Sequence, residues 1–402
     1  MFINNVKKRE FINRQKKCID QLEDENLSGL MIWSRGGGVF DRYANVDYLA
    51  NHYQQRCFLP DYMPLWSGRS HTVLFLTQNS DPVLIVSSPE YKEDLIMVDD
   101  IRYNTDFAQE IVNTIKELNM DHDDIGIIGS DVMTYHHYIN IIDNLPKLSL
   151  IEAEHILNPQ RRIKSTREIT AIRHACEIGT KAIDLAMENV KEGLTESEVI
   201  APAIEKVFAE GAALYFVVTS SGPYSNSAHS IDFPGYDGDR LLKNGEIFRI
   251  DLIIAYDGYI CDFGRSTIVG GNPSNAQKEM LDLVTDSCEF LINSIKPGMK
   301  VSELVSIGDN YLKDQGVSLA QKQDDPNQIY AAYPPHWGHG IGMTWERPWL
   351  VKDEDIVIKP NMFLAVEKAL YKPGTGTVSY EQNFLVTENG TDVLTKSKKK
   401  WY

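Results

Sequence analysis

Apolar and small residues recur at alternating spacings of three and four from Ile169 to Val190: Ile169, Ile172, Cys176, Gly179, Ile183, Ala186, Val190. That periodicity predicts one buried face of a long helix. Ser165 with Glu168 supplies a capping box at its start, and Gly193 offers a left-handed stop at its end. Upstream the pattern changes. Five β-branched runs, "SGLMIWS", "HTVLFLT", "PVLIVSS", "DIGIIGS" and "SLIEAEHI", alternate with helical stretches, which predicts an α/β domain over residues 1–155. "LNPQRRIK" (157–164) marks a boundary near residues 156–163, and residues 156–402 read as a second, α+β domain.

That second domain repeats itself. "VKEGLTESEVIAPAIEKVFAEGA" (190–212) matches "IKPGMKVSELVSIGDNYLKDQGV" (295–317) at a constant offset of 105, pairing Gly193 with Gly298, Glu198 with Glu303 and Gly211 with Gly316. Farther on, "LLKNGEIFRID" and "VIKPNMFLAVE" place Asp251 and Glu367 at equivalent positions, six residues beyond a Lys-x-[Gly/Asn] turn. Two repeats in the same order predict pseudo-twofold halves sharing a curved sheet, backed by helices at 165–192, 196–210, 275–295 and 302–315.

Each half carries a second carboxylate: Asp262 in "YICDFGRST" and Glu381 in "TVSYEQNFLV". A turn at Tyr256-Asp257-Gly258 would set Asp251 and Asp262 on adjacent antiparallel strands. The Gly/Pro-containing "YKPGTGT" would do the same for Glu367 and Glu381. Carboxylates within apolar strands are costly to bury unless paired or bound to a cation. Four of them, with His339 in the glycine-flanked "GHGIG", suit two divalent ions, and oxygen ligands with one nitrogen favour Mn, Co, Fe or Zn.

Composition narrows the class. With 402 residues, 43 % hydrophobic and 24 % charged, the chain is ordinary for a globular protein. A net charge of −17 argues against a nucleic-acid partner, and the basic run Lys396–Lys400 reads as a solvated tail. Cys18, Cys57, Cys176, Cys261 and Cys288 show no CxxC spacing, which predicts a reducing compartment without disulfides. No signal peptide or membrane span is expected, and the expected location is the cytoplasm. "RGGGV" (Arg35–Val39) lacks the Lys-Ser/Thr of a phosphate loop and reads as a turn.

Three runs, "RIDLIIAYDGYICDFGRST", "GHGIG" and "AVEKALYK…VSYEQNFLVTENG", resemble the pita-bread metallopeptidases, a family that includes prolidase, aminopeptidase P, methionine aminopeptidase and creatinase. "RRIKSTREITAIRHAC" resembles that family's domain entry, and residues 1–155 resemble the creatinase/prolidase N-terminal domain. The resemblance implies metal ligands at Asp251, Asp262, His339, Glu367 and Glu381. It implies a metal-bridging water that attacks a carbonyl, Glu367 as proton shuttle and His229 as a substrate-facing histidine. It also implies a homodimer and a small-molecule or dipeptide substrate.

The chain departs from that pattern around the cage. The family's His-Glu-x-Pro run is "TWERP" here, with Trp345 in place of the histidine. Lys368 stands where the family has proline after the glutamate, and Ser379 where it has arginine two residues before the last glutamate. The shortened loop is shared with the metal-dependent dimethylsulfoniopropionate lyase, whose catalytic aspartate would fall at Trp345. Trp337, Trp345 and Trp349 surround His339 in sequence, and Trp337 and Trp345 are candidate substrate-binding residues, since aromatic faces attract methylated cations. "HYQQRCFLPDYMPLW" (52–66) is a candidate interface segment. The expected function is amide hydrolysis of a dipeptide or small amino-acid derivative. The alternatives are a lyase of a small cationic acid and a binding protein on a degenerate peptidase fold.

Overall fold

The computed structural model describes residues 8–37, 42–55, 62, 67–226, 234–332 and 335–402. His229, Cys57, the end of the Arg35–Val39 turn and most of 52–66 lie outside the described residues. The chain divides into two compact units, residues 1–161 and 162–402.

The first unit contains α1 (Lys8–Ile19), β1 (Gly29–Arg35), α2 (Ala44–Ala50), β2 (His71–Thr77), β3 (Val83–Val86), β4 (Asp100–Tyr103), α3 (Phe107–Glu117), β5 (Asp124–Ile128), α4 (Tyr135–Asn144), β6 (Ser149–Glu152) and α5 (Glu154–Arg162). The sheet order is β4-β3-β2-β1-β5-β6, mixed parallel and antiparallel. Alternate residues Met31, Trp33, Val73, Phe75 and Ile85 face α3 and its neighbours. Period-2 alternation explains how one strand feeds two buried faces. The five expected strands are all present. The strand absent from the expectation, β4, is a four-residue edge strand reading "DIRY", half of it charged.

The second unit begins with α6 (Thr166–Glu188) and α7 (Glu196–Ala209), continues through β7 (Ala213–Ser221), β8 (Ile247–Tyr256) and β9 (Tyr259–Ile268), and repeats with α8 (Asn275–Ser294) and α9 (Val301–Asp314). The second half ends in β10 (Tyr330–Ala331), β11 (Gly338–Ile341), β12 (Trp345–Trp349), β13 (Phe363–Lys372), β14 (Gly376–Thr387) and β15 (Gly390–Val393). The capping box at Ser165 and Glu168 forms as the pattern predicts. The helix stops at Glu188, before Gly193, whose φ of +84° belongs to the turn that follows.

The repeat is visible in backbone angles as well as in sequence. Gly193 and Gly298 both adopt positive φ (+84° and +95°), as do Gly211 and Gly316 (+77° and +78°) and the turn residues Gly245 and Asn361 (+80° and +66°). In each half the long helix packs on the carboxylate hairpin, α6 on β8 and β9 and α8 on β13 and β14.

The expected single curved sheet is two sheets: β7-β8-β9, and β12-β11-β13-β14-β15. β9 and β14 lie side by side without a backbone ladder, and side chains join them. The Asn383 amide accepts the Asp262 backbone N–H at 2.9 Å and donates to the Asp262 carbonyl. Ser266 Oγ accepts the Ser379 N–H and donates to the Ser379 carbonyl, both at 2.8 Å. Arg265, fully buried, donates to Gln382 Oε1 at 2.8 Å.

Candidate metal centre and cleft

Hairpin geometry aims the carboxylates. Asp257 and Gly258, with φ of +53° and +80°, form a two-residue turn between β8 and β9. Positive φ at both positions suits the right-handed twist of the flanking strands. Asp251 then pairs with Gly264 and Asp262 with Ile253, so the two acids share a face and sit diagonally. A Cβ on Gly264 would lie 2.8 Å from the Ile250 carbonyl oxygen and 3.7 Å from Asp251 Oδ1, so glycine keeps this face open. In the second half the loop is one residue longer, and Glu367 pairs directly with Glu381. His339 arrives on β11, which hugs β13. A side chain on Gly338 would meet the Ala365 carbonyl oxygen at 2.1 Å.

One ligand atom each from Asp262, His339 and Glu381 falls within 4.8 Å of the others, all buried. His339 Nε2 lies 3.5 Å from Asp262 Oδ2, 3.6 Å from Glu367 Oε1 and 4.0 Å from Glu381 Oε1. Its Nδ1 lies 3.3 Å from the Gly340 carbonyl. A carbonyl can only accept, so this contact assigns the ring proton to Nδ1 and turns the Nε2 lone pair toward the carboxylates. Asp251 lines the same cleft with Glu367 and Glu381.

The electrostatics call for a cation. Burial, then the charges of Asp251 and Glu367, holds the Asp262 carboxyl well above its ordinary range. Burial and the neighbouring acids do the same to Glu381. Burial and Asp251 push Glu367 up to about 7. Burial, aided by His336, lowers His339 to about 3, so the imidazole is neutral. Glu381 Oε1 is buried with no hydrogen-bond donor among the described residues. A neutral nitrogen lone pair facing several carboxylates, one with an unsatisfied buried oxygen, is unfavourable by itself and fits divalent ions.

Residues 170–388, more than half the chain, match the model of metallopeptidase family M24. The chain belongs to metallopeptidase family M24. That membership places it among metal-dependent hydrolases, for which the family implies divalent metal ions. Residues 14–163 match the creatinase/prolidase N-terminal domain, so the pita-bread architecture and its leading domain stand as expected. The chain is 30 % identical to the Xaa-Pro dipeptidase of Pyrococcus furiosus over 71 % of its own length and 77 % of the relative's. It is 32 % identical to the Xaa-Pro dipeptidase of Pyrococcus horikoshii, over 62 % of this chain and 66 % of that one. The solved prolidase of Pyrococcus horikoshii superposes with a TM-score of 0.75 at 22 % identity, over 96 % of this chain and 99 % of the other.

Around this M24 centre the tryptophans take different places. Trp345 stands next to it, its Nε1–H donating to Asp262 Oδ2 at 2.7 Å and its ring edge-on to Tyr215. Trp337 does not face the cleft, contrary to the expectation for it. It is 0 % exposed, lies against Gly308 where a Cβ would come within 2.7 Å of the indole, and donates to Asp309 Oδ1 at 2.9 Å. The segment leading into β11 turns the indole inward, while neighbouring His336 takes the cleft side.

Two cleft residues were missed in the sequence. His336 lines the cleft with Nδ1 3.4 Å from Glu367 Oε1. That nitrogen accepts the Gly338 N–H at 3.1 Å, a contact that selects the tautomer with its proton on Nε2. The signal for it was the His-x-x-His spacing in "HWGH". Arg249 also lines the cleft, of about 580 Å³ counted to its open mouth. Burial lowers the guanidinium to about 10, so it remains cationic at neutral pH. It reads in sequence as an ordinary strand residue between Phe248 and Ile250.

Among the described residues no helix is long and apolar enough to cross a membrane. Cys18, Cys176, Cys261 and Cys288 are free and buried.

Proposed function

We propose that this M24 member is a dipeptidase acting on Xaa-Pro-type dipeptides or similarly compact N-substituted amino acids, with two divalent ions held by Asp251, Asp262, His339, Glu367 and Glu381. The observation that carries the reading is the neutral His339 Nε2, facing three carboxylates at 3.5 to 4.0 Å. Bound divalent ions would supply Lewis acidity toward a substrate carbonyl and lower the pKa of water. Glu367 is the most open of these three acids, its side chain 27 % exposed against 4 % for Asp262 and 6 % for Glu381. Its carboxylate is thus the group that can take a proton at the cleft wall and return it to the leaving nitrogen. His229 is assigned to hydrogen-bonding the substrate. Trp345 offers a ring and one N–H, already engaged by Asp262, where a peptidase of broader range would need a polar group for the oxyanion. That favours short substrates.

The test is turnover by Mn-supplemented enzyme of glycyl-proline, a longer Xaa-Pro peptide and dimethylsulfoniopropionate, with Asp262→Ala as control. Hydrolysis of the dipeptide well above the longer peptide, with loss of metal and activity in the control, is the expected result. Release of dimethyl sulfide without peptide cleavage would replace the hydrolase reading by the lyase one.

A further inference from the structure

Arg249 is a cation built into an acidic cleft. It sits on β8 two residues before Asp251, so strand alternation puts the two side chains on one face. Only 8 % of the residue is exposed, and two contacts hold the guanidinium. Its Nε–H donates to Ser379 Oγ at 3.0 Å and its Nη1–H to the Ser225 carbonyl at 2.8 Å. Nη2 has no hydrogen-bond acceptor among the described residues. The other cation along this wall, Lys368, points away: its Nζ donates to the His336 carbonyl at 2.9 Å and lies over the Trp337 ring at 4.8 Å. Arg249 is thus a charged fork held at Nε and Nη1 by neutral acceptors, lining the same cleft as Glu367.

We infer that Arg249 is the substrate-binding residue that receives the free carboxylate of a compact zwitterion, a role that rests on the small-substrate reading above. A metal centre made of carboxylates repels a substrate's own carboxylate, so an anionic group needs a cationic anchor in the same cleft. A guanidinium held by Ser379 and Ser225 presents its outer donors at low entropic cost. Ser379 faces Arg249 across the seam between the two sheets, with a side chain small enough to leave the fork in the cleft. The anchor would set the length of substrate accepted, because a peptide continuing past this point has an amide where the carboxylate should be.

The experiment is calorimetric titration of the Mn-loaded, full-length protein with L-proline and with sarcosine, each against its carboxamide. The wild-type protein should bind the acids on the order of 10- to 100-fold more tightly than the amides, the scale of a charge-assisted pair. Arg249→Gln should erase that preference while keeping its metal content and its weak affinity for the amides. Equal binding of acid and amide by the wild-type protein overturns the inference and needs no variant. A preference that survives in metal-replete Arg249→Gln overturns it too, because the carboxylate would then sit on metal. Should Arg249→Gln fail to fold, Arg249→Lys keeps the charge with a single-point donor, and its preference should shrink; an unchanged preference counts against the fork. Glycyl-proline and glycyl-prolinamide turnover separates this from the proposed activity. If neither is cleaved but the Arg249-dependent preference holds, the dipeptidase reading falls and the anchor stands. If glycyl-proline is cleaved but the preference ignores Arg249, only the anchor falls.

Discussion

Asp262 Oδ2 receives the indole N–H of Trp345 at 2.7 Å and lies 3.5 Å from His339 Nε2. A carboxylate oxygen has room for a donor and a cation together, so the indole can orient Asp262 without displacing a metal. Outer partners of this kind, when removed, cost about 10- to 100-fold in metal affinity or activity. Trp345→Phe keeps the ring against Tyr215 and removes only the N–H. It is expected to retain its fold and to release metal to a chelator about 10-fold more readily than the wild-type protein, measured by competition with a metal-binding dye. Unchanged metal affinity would mean that the N–H merely satisfies itself on Asp262.

Among the elements, the seam between β9 and β14 decides whether the two halves present one site or two half-sites. Asn383 is fully buried, and its amide pairs with both backbone groups of Asp262. Asn383→Ala leaves a buried N–H and C=O without these partners, at about 1–3 kcal/mol each. The expected result is a melting temperature lower by several degrees and weaker metal retention; thermal scans with and without metal would show both. A variant that melts like the wild type would mean the seam is held by Ser266, Ser379 and Arg265 alone. The hairpins and helices around this seam were legible in the sequence because each rests on local signals: Asp257-Gly258 for the turn, Ser165 and Glu168 for the cap, β-branched runs for the strands. The four carboxylates stood out as candidates in the sequence because the duplication repeats them, and His339 because of its glycine-flanked run. The seam was not, since Asn383, Ser266 and Arg265 join strands more than a hundred residues apart in sequence, and no local period encodes that. Arg249 was hidden for a related reason, since which face of a strand borders the cleft is set by its partners, and the inward turn of Trp337 depends on Gly308 and Asp309 of a distant helix.

For the molecule as a whole, the acid cluster couples stability to pH and to metal. In the metal-free protein Glu367 is raised to about 7, and Asp262 and Glu381 stand well above the carboxyl range. Between the unfolded pKa, roughly 4.3 for a glutamate, and the raised folded value, the folded chain holds protons that the unfolded chain has released. Stability from these groups is therefore present below the unfolded pKa and falls as pH rises through that window. For Glu367 alone the loss is about 4 kcal/mol, and the two deeper acids extend the fall to higher pH. Divalent ions reverse the sign of the problem, because they bind the deprotonated carboxylates of the folded state and stabilise it by mass action. The chain has two compact units, so calorimetry can resolve more than one transition, and the metal-sensitive one should belong to residues 162–402. Between pH 6 and pH 8 the chelator-stripped protein should show that transition moving down in temperature, while the gain on adding Mn²⁺ grows. A stripped protein whose melting is flat or rising over that range, with a metal gain independent of pH, would show that the carboxylates are not held together as protonated acids and that the cluster is not the metal centre.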